Sequence, residues 1–193
     1  TGGDYVIILE EPAEAGDAEF FSVSQLEVSP NGHLLAWVVD DSGAERDRLV
    51  IDNLVTGERY SEGLDNLTGE IVWAGNEALF YTPAEDDAWR AERVMYHVLG
   101  SDADNDRQVF KNQNKGFFIS LQQSQSDQYL FIVEADYQSS EIHFIALNEP
   151  AAAPKLVAKR RENVMYTMDH GNDQFYILVN DEHENFRVAT AAV

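Results

Sequence analysis

Cysteine is absent from the 193 residues, which excludes disulfide staples, a thiolate nucleophile and any metal site built on sulfur. Basic residues are scarce: 13 Lys plus Arg stand against 35 Asp plus Glu, for a formal net charge of −22. Nucleic-acid binding depends on Lys and Arg displacing counterions from phosphates, so no nucleic-acid partner is expected. No apolar run approaches the ~20 residues of a membrane-crossing helix, so no membrane partner is expected either. The opening Thr1-Gly2-Gly3-Asp4 has no initiator Met and does not resemble a signal peptide. That start reads as a cut inside a longer protein, and the missing cysteines suit a cytoplasmic location.

Apolar matter is plentiful. Hydrophobic residues make up 44% of the chain and aromatics 11%, enough for a packed core and unlike a disordered acidic tail. The apolar residues recur as strand, turn, strand, turn, strand. The first unit runs through Leu26-Glu27-Val28, Leu34 to Val39, Leu49-Val50-Ile51 and Arg59-Tyr60. Second-strand positions Leu35, Leu79, Leu130 and Tyr176 are separated by 44, 51 and 46 residues. Third-strand positions Ile51, Tyr96, Phe144 and Val188 are separated by 45, 48 and 44. Two independent marks thus keep one period, and short strands repeating every ~40–50 residues are the mark of β-propeller blades.

The expected fold is all-β, a propeller segment of about four antiparallel four-stranded blades. The blades fall at roughly 20–62, 66–112, 116–160 and 163–193, the last incomplete. At least fourteen strands in four sheets are expected, with no helix longer than two turns. The second strands are almost wholly apolar, as strands buried on both faces between neighbouring blades should be. Tyr5-Val6-Ile7-Ile8-Leu9 reads as an extra strand ahead of the first blade, and Asp86 to Arg93 as a loop. The six aromatics Trp37, Phe80, Tyr81, Phe131, Phe175 and Tyr176 stand at buried-strand positions.

No catalytic, cofactor-binding or metal-ligating residue is assigned. The Gly-x-Ser-x-Gly elbow of an α/β-hydrolase is absent. His33, His97, His143, His170 and His183 include no i, i+4 pair of the zinc-helix kind. His97 and His143 occupy comparable places in adjacent third strands, which repeat geometry alone accounts for. Asp102-Ala103-Asp104-Asn105-Asp106 begins like a calcium loop, but Arg107 and Gln113 stand where Gly and a bidentate Glu are required, so a solvated turn is expected. Lys159-Arg160-Arg161 reads as a solubilising edge strand paired with Glu162. Asn66-Leu67-Thr68 fits the glycosylation pattern without further support. Charge is uneven: residues 1–50 carry 11 acids and 2 bases, whereas 151–193 carry 6 acids and 5 bases. Solubility explains this. So does an acidic field that concentrates basic peptides.

Particular motifs carry a resemblance. Ser29-Pro30-Asn31-Gly32-His33-Leu34-Leu35-Ala36-Trp37 is a common propeller blade start. Asp52 to Glu58, Val72-Trp73 followed by Leu79-Phe80-Tyr81-Thr82, Val94 to Gly100, Ser139-Ser140-Glu141-Ile142, Asp173 to Asn180 and Asn185-Phe186-Arg187-Val188 follow in order. From about residue 20 onward the chain resembles the N-terminal β-propeller of the oligopeptidase B (protease II) family, in the prolyl oligopeptidase group of serine peptidases. The segment Lys111 to Gly116 is less acidic than that family's pattern. The resemblance implies a seven-bladed propeller capping an α/β-hydrolase domain of the same parent chain, with short basic peptides as the parent's substrates, cut after Lys or Arg. On this reading 1–193 is part of the propeller, gates and size-filters substrates, needs no cofactor and hydrolyses nothing alone. A binding-only propeller scaffold unrelated to proteolysis is the alternative. Self-association of the isolated segment is expected, or else folding-back of Tyr5 to Leu9 over an open edge.

Overall fold

The computed structural model describes residues 4–85 and 88–193. Among the described residues sixteen strands form four antiparallel sheets, each a consecutive stretch of chain. Blade one holds β1 (Ser22–Val28), β2 (Leu34–Asp40), β3 (Arg48–Asn53) and β4 (Arg59–Tyr60), paired in that order. Blade two holds β5 (Leu67–Trp73), β6 (Ala78–Glu85), β7 (Ala88–Ala91), β8 (Arg93–Val98) and β9 (Arg107–Lys111). Blade three holds β10 (Phe118–Gln123), β11 (Tyr129–Ala135), β12 (Ser140–Ala146) and β13 (Lys155–Leu156). Blade four holds β14 (Tyr166–Gly171), β15 (Gln174–Val179) and β16 (Arg187–Ala192), with no fourth strand among the described residues. Among the described residues the one α-helix is α1 (Glu11–Ala15). The all-β, four-sheet expectation holds.

Side chains alternate across a strand, so each middle strand serves two layers at once. In β6, Leu79 and Tyr81 pack with Ala36, Val38 and Trp73 between blades one and two, while Ala78 and Phe80 pack with Leu130 and Ile132 between blades two and three. In β11, Phe131 turns the other way and joins Phe144, Tyr166 and Phe175 between blades three and four. This division is why these strands are apolar at nearly every position. Edge-to-face ring contacts tighten the last layer, with Phe144 and Phe175 centroids 5.0 Å apart, a geometry that adds to simple burial.

Polar clamps join the inner strands at the same period. Gln25 on β1 donates to the Ile71 carbonyl at 3.0 Å and accepts the Ile71 N–H at 2.9 Å, across 46 residues. The Trp73 indole donates to the Glu27 carbonyl at 3.0 Å, also across 46. Asp169 on β14 accepts the Gln125 N–H at 2.9 Å across 44.

Four expectations are corrected. Tyr5 to Leu9 is not a strand: Tyr5 and Val6 are each 86% exposed. Only Leu9, with Phe21, reaches the open face of blade one, against Leu35, Trp37 and Val39. The Glu14 carboxylate of α1 grips Arg59 at 2.6 Å, and Arg59 lies over the Trp37 ring. In the expected loop from Asp86 to Arg93, Asp86 and Asp87 lie outside the described residues. Ala88 to Ala91 forms β7, which pairs with β6 through Ala84↔Ala91. Lys159-Arg160-Arg161 follows the end of β13 and is in no strand. Arg160 stacks on Phe117 at 3.5 Å, and Arg161 pairs with Asp181 at 3.4 Å. Tyr176 is exposed, because β15 has a neighbouring blade on one side only. The described start at Asp4 leaves Thr1-Gly2-Gly3 outside the described residues.

Candidate functional site

The inner strands β1, β5 and β10 and the β2–β3 connection line one cavity of about 390 Å³ that holds four carboxylates and Arg90 of β7. Asp40 comes from the end of β2, Glu45 from the turn that follows, Asp47 from the residue before β3, and Glu70 from β5. Gly69 makes the close approach possible. Its φ of +90° suits glycine, and a Cβ there would meet Asp47 Oδ2 at 3.1 Å and Ser24 Cβ at 3.2 Å. The pairing of β5 with β6 shifts register between Leu67 and Ile71, as a bulge does when it re-aims a side chain.

The four acids have different surroundings. Asp40 is almost buried, which works to raise its pKa. The N–H groups of Ser42, Glu45 and Gly43 and the Ser42 hydroxyl outweigh this and hold it below the usual carboxylate range. Asp47 is pushed up by burial, with the neighbouring Asp40 charge adding to it, although Ser24 donates to Asp47 Oδ1 at 2.5 Å. Glu70 is pushed up to about 7 by burial, which the Leu121 N–H, donated at 2.6 Å, offsets only in part. The Arg90 guanidinium lies 5.5 Å from the Phe118 ring centre. Such a cavity presents negative potential to a cationic group. Ser24 has an acid beside it, but none of the five histidines lines this cavity, so the Ser–His–Asp arrangement of acyl transfer is not assembled there.

The histidines are dispersed. His97 is fully buried, with Asp106 Oδ1 at 2.8 Å and Glu62 Oε2 at 3.3 Å on its two nitrogens. His143 sits against Phe110, ring centres 4.8 Å apart, with its Nδ1 buried and without a hydrogen-bond partner. Their comparable places in the repeat therefore conceal different surroundings. His170 Nδ1 meets the Ser126 hydroxyl at 2.8 Å. His183 is exposed and accepts the Asn185 N–H, and His33 is exposed in the first blade turn. Asp102 caps the short 3-10 turn Ala103–Asn105, while Asp106 turns inward to His97 and to the Tyr81 hydroxyl at 2.9 Å. Asn66 donates to the Ala84 carbonyl, and Leu67 is buried.

Sequence reading missed the acidic cavity, because its members converge only across blades. It also missed Glu134, Glu141 and His143, whose ligand atoms lie within 4.8 Å of one another. The signal was present as Glu141-x-His143, a two-residue spacing that puts both side chains on one face of a strand.

The sequence matches the family described as prolyl oligopeptidase, N-terminal beta-propeller domain, over residues 1–193. It is 30% identical to Protease 2 of Moraxella lacunata over 96% of this chain and 27% of that protein. It is 29% identical to dipeptidyl aminopeptidase BI of Pseudoxanthomonas mexicana, over 99% of this chain and 27% of that protein. The chain thus spans about a quarter of the length of these relatives. Among solved structures, oligopeptidase B of Leishmania major superposes with a TM-score of 0.87 at 24% identity, over 96% of this chain and 26% of that one. Oligopeptidase B of Trypanosoma brucei, in a closed form with covalently bound antipain, superposes with a TM-score of 0.83 at 25% identity, over all of this chain and 28% of that one.

Proposed function

The chain belongs to the prolyl oligopeptidase N-terminal β-propeller family, and from that premise we propose that it is the non-catalytic propeller portion of an oligopeptidase B-like serine peptidase. In this reading it gates and size-filters peptides for an α/β-hydrolase domain of the same parent chain that cleaves after Lys or Arg. The observation that carries the reading is the likeness to Protease 2 along 96% of the chain. The cavity holding Asp40, Glu45, Asp47 and Glu70 supports it further, since a concentrated negative field draws basic peptides from solution. Filtering needs no reacting group: a narrow passage between rigid blades admits short flexible peptides and rejects folded chains.

The test uses the full-length parent, catalytic domain included, and two substrates, a short Lys- or Arg-containing reporter peptide and a folded protein rich in the same residues. The reading expects rapid cleavage of the first, blocked by a serine-directed inhibitor, and none of the second. Asp47→Asn together with Glu70→Gln is expected to raise KM for the basic reporter and to leave kcat within about twofold, the signature of lost uniform binding. Equal cleavage of folded protein would overturn the filter. Absence of any hydrolase activity would overturn the peptidase assignment and favour a binding scaffold.

A further inference from the structure

Blade three carries a second group of polar side chains, away from the inner cavity. Glu134 lies on β11 directly opposite Glu141 on β12, and Ile132 is opposite His143. Alternation therefore sends Glu134, Glu141 and His143 to the same face of the sheet, the face turned toward blade two. His143 packs there on Phe110 of β9. All three line a cavity of about 540 Å³ with Phe110, Asn112 and Phe117.

The arrangement is costly as it stands. Like charges directly opposite one another on a sheet repel. Glu134 is 7% exposed, with the Glu141 charge facing its carboxylate and the Arg160 charge offsetting it only from nearby. His143 Nδ1 is buried and has no hydrogen-bond partner among the described residues. Buried polar groups in native structures are overwhelmingly paired, so an orphaned imidazole nitrogen beside two facing carboxylates in one cavity points to a ligand they would share. The cations nearby do not fill the role. Arg160 spends its guanidinium on the carbonyls of Ser139 at 3.3 Å and Glu134 at 3.1 Å and on the Phe117 ring. Lys111 lines the same cavity, and its side chain is exposed.

We propose that Glu134, Glu141 and His143 form a binding site for one first-row divalent cation of the zinc type. One imidazole nitrogen and two carboxylates are a donor set that zinc accepts, with a fourth position left to water from the cavity. The ligand atoms lie within 4.8 Å of one another, and ligands at ~2.1 Å from zinc stand at most about 4 Å apart. Small side-chain rotations close that difference. The ion neutralises the facing carboxylates and ties the outer half of the β11–β12 hairpin together. The site holds no nucleophile, and its role is structural.

The experiment is a calorimetric titration of chelator-stripped intact protein with zinc chloride, followed by melting curves with and without zinc. One equivalent is expected at micromolar affinity or tighter, with a zinc-dependent rise in Tm. His143→Gln and Glu134→Gln are each expected to weaken that equivalent at least about tenfold, the scale on which perturbing a metal site acts. Asp127→Asn, an acid elsewhere on the same blade, is expected to leave it unchanged, which separates the site from the general attraction of an acidic protein for cations. If His143→Gln does not fold, the nearly isosteric Glu134→Gln decides. Zinc binding of unchanged affinity and stoichiometry in Glu134→Gln overturns the proposal, as does the absence of a micromolar equivalent in the unaltered protein.

Discussion

The carboxylate of Glu70, on the inner strand of blade two, accepts the backbone N–H of Leu121, on the inner strand of blade three, at 2.6 Å. The bond joins two blades through a group that burial has made reluctant to ionise. Its pKa rises from 4.5 to about 7 in the folded chain. Between those values the folded chain keeps a proton that the unfolded chain has released, so stability falls as pH climbs from 4.5 to about 7 and levels off above. Glu70→Gln retains an oxygen for Leu121 and cannot ionise. Relative to the unaltered protein it is expected to gain about 3 kcal/mol at pH 8 over pH 4. Urea unfolding at the two pH values measures this, and equal curves for both proteins would refute it.

Removing the His97 ring strands two acids. Asp106 would keep only the Tyr81 hydroxyl at 2.9 Å, and Glu62 only the Gly100 N–H at 2.6 Å. With a buried void added, His97→Ala is expected to cost about 3 kcal/mol. Glu62→Gln keeps the Gly100 bond and should cost under about 1 kcal/mol. Chemical denaturation of both variants gives the comparison.

Gln25 satisfies both backbone groups of Ile71. Gln25→Ala leaves a donor and an acceptor unmatched between blades one and two, at an expected cost of about 2 kcal/mol. Hydrogen exchange at the Ile71 amide should speed up while that at Leu130, two blades' faces away, stays slow. Uniform acceleration would show that the clamp is not local.

Blade four turns Tyr176, Leu178, Phe186 and Val188 to solvent. Contiguous apolar surface of that kind finds a partner, and a charge of −22 opposes the encounter of two copies. The isolated chain is expected to self-associate more tightly as salt screens the repulsion. Leu178→Asp with Val188→Asp should hold it monomeric in sedimentation at any ionic strength. Association that weakens with salt would point to charge pairs instead.

Period and strand order were legible because burial on both faces leaves its mark on every residue of β2, β6 and β11. Tyr5 to Leu9 misled for the same reason: an apolar run says that burial is favourable, not that a strand partner exists, and only Leu9 finds cover. The β7 strand was hidden because its run, Ala88-Trp89-Arg90-Ala91, is too short for an alternation to declare itself. The acidic cavity was illegible in principle, since Glu70 and Leu121 are 51 residues apart and nothing local to either announces the other. His97 and His143 show the opposite failure. Equal places in a repeat invite one explanation, but a residue's chemistry is set by the neighbouring blade, which the repeat does not duplicate.

The division of each middle strand between two layers also determines which changes of length the chain tolerates. A single residue inserted within β6 would send Phe80 to the side of Leu79 and Leu79 to the side of Phe80, exchanging two cores in one step. A whole unit of strand, turn and strand added between blades would disturb neither, because each blade touches only its neighbours. Such a protein lengthens or shortens by complete blades and by its turns, and the interiors of β2, β6, β11 and β15 are where a frame slip of one residue does the most harm.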